Sequence, residues 1–288
     1  SGLSDFFYEI PYSSEPLYLS DPIEKDIKGL INAINKNKGV NKFLFYGPAG
    51  TGKTETARQV ARILKRKLIG INFSEILDSR LGQSVKNLGS VFEEINAFDS
   101  PSKVVFFMDE IDSVAMDRVN SRDLREMGRV TSSFLKFFDY LRDDVVVLAA
   151  TNLESSFDPA LLRRFDYKVD FGRFSKQDIV EAGEKLYSVI GEKFGSKQLY
   201  PDFVVKLLSN SSKKETLGDL KNIFRTSFAF SDPKDPSEHL RRIYNSLYDF
   251  GTDVATLSQL GFSYREIELL TTLSKSKVAR TIKEKAKE

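Results

Sequence analysis

FLFYGPAGTGKTETARQVARIL, Phe43 to Leu64, runs from a β-prone aromatic stretch through a glycine-rich segment into an amphipathic helical pattern. Within it, GPAGTGKT (Gly47–Thr54) fits G-x-x-x-x-G-K-[ST], with the strand before and the helix after that this pattern requires. Glycines let the backbone turn its N–H groups inward without Cβ clashes, forming a nest for phosphate oxygens. The following helix aims its positive end at the same place. Gly47, Pro48, Ala49, Gly50, Thr51 and Gly52 are therefore the expected phosphate cradle. Lys53 is the expected contact to the β- and γ-phosphates, and Thr54 an expected Mg²⁺ ligand. A glycine-rich turn with an exposed lysine is the plainer reading of the composition, but it does not account for the strand-to-helix context. The pattern predicts a nucleoside triphosphate site.

Similar apolar runs recur at FLFY (43–46), KLIGINF (67–73), KVVFFM (103–108), VVVLAA (145–150) and YKVDF (167–171). Helical patterns lie among them at 53–65, 84–98, 122–141 and 158–164. Runs that are apolar throughout are buried on both faces, which predicts an α/β fold with a parallel sheet sandwiched by helices. After Phe171 only helical patterns follow: SKQDIVEAGEKLYSVI, YPDFVVKLLSN and LGDLKNIFRTSFAF. SDPKDPSE (231–238) is the strongest linker signal. The expected organisation is an α/β domain over 1–171, an all-α segment over 172–232 and a small helical domain over 233–288.

The chain has 288 residues, 41% hydrophobic and 29% charged, an ordinary globular composition with enough apolar residues for a sizeable core. A net charge of +2 makes no chain-wide case for nucleic acid, so any such case must be local. The absence of cysteine excludes disulfides and thiolate metal sites, and fits a reducing, cytoplasmic location. No charged-then-apolar leader pattern and no run long enough to span a membrane is found in the sequence. The single histidine, His239, cannot form a histidine metal site and reads as a solvated helix residue.

VVFFMDEID (Val104–Asp112) is an apolar strand that ends in three carboxylates. Acidic groups at the carboxyl end of a parallel strand lie over the crevice where open α/β sheets bind ligands. Asp109 is placed to hold Mg²⁺ through water and Glu110 to act as the base for an attacking water. Asp112 reads equally well as a polar helix start. VVVLAATN likewise ends in polar groups, with Asn152 able to orient water or a γ-phosphate.

GPAGTGKT, FFMDEID and AATNLESSFDPALLRRFD, with the spacing between them, resemble the AAA family of ATPases over about residues 40–230. The resemblance implies a large α/β ATPase subdomain followed by a helical lid, with ATP and Mg²⁺ as ligands. It also implies a homo-oligomer, a hexameric ring, that remodels a macromolecular partner. By the family pattern Asn152 is the first sensor, and Arg163 and Arg164 are arginine fingers acting on a neighbouring subunit's nucleotide. LGDLKNIFR resembles the lid helix, with Gly218 near the adenine. The family's Pro-Gly between the two arginines is absent, so the role falls to the pair. Where the family carries an aromatic that grips polypeptide stands Arg80, followed by Leu81. That departure argues against threading.

The tail, VATLSQLGFSYREIELLTTLSKSKVARTIKEKAKE, reads as a short helix ending at Gly261, a Ser263-capped helix, a tight turn and a Ser274-capped helix. Ile267, Leu270, Leu273, Val278 and Ile282 supply apolar contacts, while Lys275, Lys277, Arg280, Lys283, Lys285 and Lys287 make the last helix basic. This resembles a helix-turn-helix, and implies duplex DNA bound through Ser274 to Lys287. It departs from that pattern at Glu268 and Thr272. Three functions follow: an ATPase acting on DNA, a protein-remodelling ATPase working with a partner enzyme such as a protease, and a nucleotide-dependent assembly switch.

Overall fold

A computed structural model describes residues 4–13, 16–77, 83–112, 124–152 and 159–285. The chain divides into two compact units, 1–173 and 174–288.

The first unit is built on six strands: β1 (Phe7–Ile10), β2 (Lys42–Tyr46), β3 (Lys67–Ile71), β4 (Val104–Met108), β5 (Val147–Thr151) and β6 (Tyr167–Asp170). Their order is β1-β3-β4-β5-β2-β6, and every pairing is parallel except β1 with β3. β4 and β5 are buried along their whole length, as apolar runs between two helical layers must be. One face of the sheet carries α4 (Gln83–Asn96) and α5 (Leu124–Asp139), whose Leu88, Phe92, Phe134 and Phe138 join Leu44, Ile69, Phe106 and Val147 in one core. Phe92 meets Phe134 edge-on at 5.4 Å, a favoured aromatic geometry. α2 (Lys53–Ile63) lies against β3, β4 and β5, and α1 (Asp21–Lys36) against β6. α3 (Phe73–Ile76) and α6 (Pro159–Leu162) are single turns.

The strands differ from the sequence reading at three places. β1 is an additional edge strand. β3 stops at Ile71, because Asn72 opens α3 and its carbonyl accepts from Ile76 N–H. β5 starts at Val147, because the buried Asn41 amide donates to the Val145 carbonyl at 2.6 Å and to Asp143 O at 2.9 Å, holding that segment as a loop.

The second unit is all helical: α7 (Lys176–Lys193), α8 (Pro201–Asn210), α9 (Leu217–Ala229), α10 (Glu238–Leu247), α11 (Val254–Gln259), α12 (Tyr264–Thr271) and α13 (Lys275–Lys285). Ser175, Thr216 and Ser263 each close a capping box with the acidic residue three positions on. Residues 172–232 and 233–288, expected as separate domains, share one interior here from Phe174 onward. The physical link is His239. It is not solvated but 3% exposed, stacked 4.5 Å from Phe228 of α9 and bonded through Nε2 to the Tyr187 hydroxyl of α7 at 2.8 Å. Lys206 of α8 pairs with Glu266 of α12 at 2.7 Å, tying in the last helices.

Candidate active site

Strand order assembles the site. β5 lies between β4 and β2, so the carboxyl ends of all three strands open side by side. Gly47 follows β2, Asp109 follows β4 and Asn152 follows β5.

The loop from Gly47 to Gly52 makes the corner into α2. Gly47 has φ +135°, and a Cβ there would sit 2.8 Å from Gly172 N, so only glycine fits. Gly52 caps α2 in the left-handed region at φ +94°. Pro48, Ala49 and Gly50 are exposed at the tip, where the Thr51 hydroxyl donates to Pro48 O at 2.8 Å. Lys53 is 7% exposed and folds back on its own loop, donating to Gly47 O at 2.8 Å and Pro48 O at 2.7 Å. Burial lowers its pKa, and the carboxylates of Asp109 and Asp112 oppose that shift by favouring the cation.

Thr54, the second residue of α2, donates its hydroxyl to Asp109 Oδ2 at 3.0 Å, bridging the start of α2 to the end of β4. Asp109 Oδ1 accepts from Glu110 N–H at 3.0 Å. Glu110 has φ +48°, a left-handed backbone rare for a residue with a side chain, and it stands exposed beside this pair. Asp112 accepts the buried Thr151 hydroxyl and so fastens the end of β4 to the end of β5. Thr151 is part of the site's support that sequence reasoning missed, since nothing in a strand-end threonine distinguishes it from any other.

This donor set fits a bound Mg²⁺-nucleotide. A hydroxyl and a carboxylate face each other at 3.0 Å, next to a buried ammonium and a helix N-terminus. No group of three or more His, Cys, Asp or Glu side chains able to hold a metal occurs among the described residues.

Arg163 and Arg164 are not part of this cluster. They follow α6 and precede β6, whose first residues lie beside Asn41 and Lys42 at the amino edge of the sheet. The carboxyl edge is a strand's length away, roughly 13 Å for four residues. The two side chains also differ. Arg164 makes a two-pronged ion pair with Asp139, at 2.8 and 2.9 Å, and donates to Ala160 O at 2.7 Å. Arg163 is exposed, and its side chain makes no hydrogen bond or ion pair with a described residue. Gly218 is the second residue of α9, in the helical unit. Arg80 and Leu81 lie outside the described residues.

The model of the ATPase family associated with various cellular activities (AAA) matches residues 43–173, from the first buried residue of β2 to the end of the α/β unit. Residues 43–173 are an AAA ATPase domain. Over 133 residues the chain is 37% identical to the uncharacterized AAA family ATPase y4kL of Sinorhizobium fredii, covering 46% of this chain and 39% of that protein. It is 41% identical over 143 residues to a cell division cycle protein 48 homolog of Archaeoglobus fulgidus, covering 48% of this chain and 19% of that one. It is 41% identical over 136 residues to the peroxisomal ATPase pex6 of Schizosaccharomyces pombe, covering 45% of this chain and 14% of that one. The matched stretch therefore spans two fifths or less of each of these relatives.

Two solved structures share the fold more widely. One is a chain of the E. coli MS115-1 HORMA:CdnC:Trip13 complex, with TM-score 0.63 at 17% identity, covering 86% of this chain and 96% of that one. The other is the FIGL-1 AAA domain in complex with ADP, with TM-score 0.62 at 17% identity, covering 90% of this chain and 92% of that one. Both extend the likeness beyond the AAA domain into the helical unit, as fold alone. Among the described residues no helix is long and apolar enough to cross a membrane.

Proposed function

We propose that this chain hydrolyses Mg²⁺-ATP as a homo-oligomer and uses the cycle to remodel a macromolecular partner. The observation that carries the reading is the Thr54–Asp109 bond beside the buried Lys53, which joins a phosphate-binding corner to a carboxylate-bearing strand end. The loop N–H groups and Lys53 bind β- and γ-phosphate oxygens. Thr54 and Asp109 would hold Mg²⁺, which when bound would neutralise phosphate charge. Asn152 orients the attacking water. Glu110 takes that water's proton as its oxygen attacks the γ-phosphorus, and the bond to ADP breaks.

Arg163 completes the site of the neighbouring subunit. Its place towards the amino edge of the sheet supports this reading, as does its exposed side chain, while that of Arg164 is held by Asp139. A single experiment tests the hydrolysis and the oligomer together: phosphate release measured against protein concentration, with and without Mg²⁺. Specific activity that rises with concentration and vanishes on chelation supports it. Activity without Mg²⁺, or constant activity in a protein shown to stay monomeric, overturns it.

A second reading places the work on duplex DNA. What favours it is α13, which exposes Lys275, Lys277, Arg280 and Lys283 while Val278 is buried against the rest of the unit. Exposed cations at this spacing can neutralise successive phosphates.

A further inference from the structure

Tyr8 stands directly opposite Gly70 in the antiparallel β1–β3 pair. A Cβ on Gly70 would meet Tyr8 Cζ at 2.4 Å and both Cε atoms at 2.7 Å, so the phenol end of the ring, not its root, covers this glycine. The hydroxyl therefore reaches across β3 towards β4. There Gly70 pairs with Phe107, and Asp109 stands two residues beyond it, on the same face by the period of a strand. The Thr54–Asp109 bond identifies that face as the one covered by α2. Tyr8 is 47% exposed, and its hydroxyl has no hydrogen-bond partner among the described residues. The carboxylates also register on the phenol: burial raises its pKa most, then Asp109 and more weakly Glu110, with Arg58 opposing.

We propose that Tyr8 is a positioning residue for ATP hydrolysis, its hydroxyl holding in place the water that Glu110 deprotonates. A phenol can donate to the water oxygen and leave both water protons free, one of them facing the base. The inference rests on the ATPase reading above. It differs from a purely packing role, in which an aromatic ring shields a strand glycine and phenylalanine would serve as well as tyrosine.

The test uses the full chain. Wild type, Tyr8→Phe and Glu110→Gln are compared for steady-state ATP hydrolysis, with melting temperature as a control for folding. Tyr8→Phe keeps the ring on Gly70 and is expected to lower kcat about tenfold with KM for ATP nearly unchanged, the scale of one lost hydrogen bond in the transition state. A second arm needs no variant. Tetranitromethane nitration of the wild-type protein is mapped by mass spectrometry with and without Mg²⁺ and a non-hydrolysable ATP analogue that keeps the γ-phosphate. The nucleotide is expected to slow nitration of Tyr8, while Tyr140, 71% exposed just before the β5 segment at the other edge of the sheet, reacts equally in both. A Tyr8→Phe protein with wild-type kcat, or nitration of Tyr8 indifferent to Mg²⁺ and the ATP analogue, overturns the inference alone, provided wild type is active and Glu110→Gln is not. A wild type that does not hydrolyse ATP overturns the ATPase reading and this inference with it.

Discussion

Lys53 in the α/β unit and His239 in the helical unit are 7% and 3% exposed, and burial is the main cause lowering the pKa of each. Their surroundings differ in kind. Lys53 is met by two backbone carbonyls and by the fields of Asp109 and Asp112, all of which favour the cation. His239 is met by the rings of Phe228 and Tyr187, with Arg241 pushing its pKa further down and Asp235 opposing, and it stays neutral to about pH 4. One unit preserves a buried charge where an anion is to arrive. The other removes a charge so that helices can pack. Of these two buried titratable groups, the one whose neighbours stabilise its charged form is the pointer to chemistry.

The largest effects should come from breaking the first half of that contrast. Glu110→Gln is expected to bind ATP and to lose turnover by about 10²- to 10⁴-fold, the usual worth of a general base. Lys53→Ala is expected instead to lose binding itself, read by nucleotide titration. Wild-type turnover in Glu110→Gln would remove Glu110 from the role of base.

The arginines repeat the comparison within one unit, since one is held and its neighbour is free. Arg163→Ala is expected to lower turnover on the order of 10³-fold, as loss of an arginine finger does, with the melting temperature and nucleotide affinity of the isolated subunit intact. Arg164→Ala should mainly cost about 0.5–1 kcal/mol of stability, the scale of a partly exposed ion pair. Urea unfolding and phosphate release on both variants decide the assignment, and the reverse pattern would exchange the two roles.

The glycine-rich corner between β2 and α2 was legible because its information is local: three glycines and Lys53-Thr54 at fixed spacing between a strand and a helix. The buried strands announced themselves by apolar runs. β1 did not, because FYEI is short and gains its meaning only by pairing with β3 far along the chain. α1 carried usable signals, with Ser20 before Asp21-Pro22 and apolar Ile23, Ile27, Leu30 and Ile34 at helical spacing. His239 and the Arg163–Arg164 difference were out of reach for one reason. Both depend on partners brought together by tertiary packing, Phe228 and Tyr187 in one case and Asp139 in the other.

The histidine gives an intermediate effect with a definite sign. Its folded pKa, about 4, lies below the ordinary value of 6.5, so between these pH values the unfolded chain binds a proton that the folded chain refuses. The stability that neutral His239 contributes is complete above pH 6.5 and is lost as pH falls towards 4, on the order of 2–3 kcal/mol over the window. Urea midpoints at pH 7 and pH 5 should differ accordingly in wild type. In His239→Phe, which keeps a ring against Phe228 and has no proton to take, this part of the difference should vanish. An unchanged pH difference in the variant would mean that other groups carry it.

The smallest effect tests whether the helical unit does more than pack. α12 and α13 are joined by a turn in which Thr272 takes φ +61°, the conformation for which that position would favour glycine, and Ser274 O accepts from Val278 N–H at 3.0 Å to start α13. The turn is therefore formed despite its residue type. Lys275, Lys277, Arg280 and Lys283 all stand exposed on the helix it presents. If this face meets duplex DNA, each phosphate contact releases counterions, and affinity falls as salt rises. Changing Lys277 and Arg280 to Ala should then weaken binding several-fold and reduce the slope of log K against log salt by about one per lost contact, with basal ATP hydrolysis untouched. Fluorescence anisotropy at low and moderate salt reads both quantities. No binding to any duplex at low salt, by folded and oligomeric protein, would leave these cations as a solvated helix face and favour a protein as the remodelled partner. Chemistry would then be confined to the α/β unit, and the helical unit would only pack.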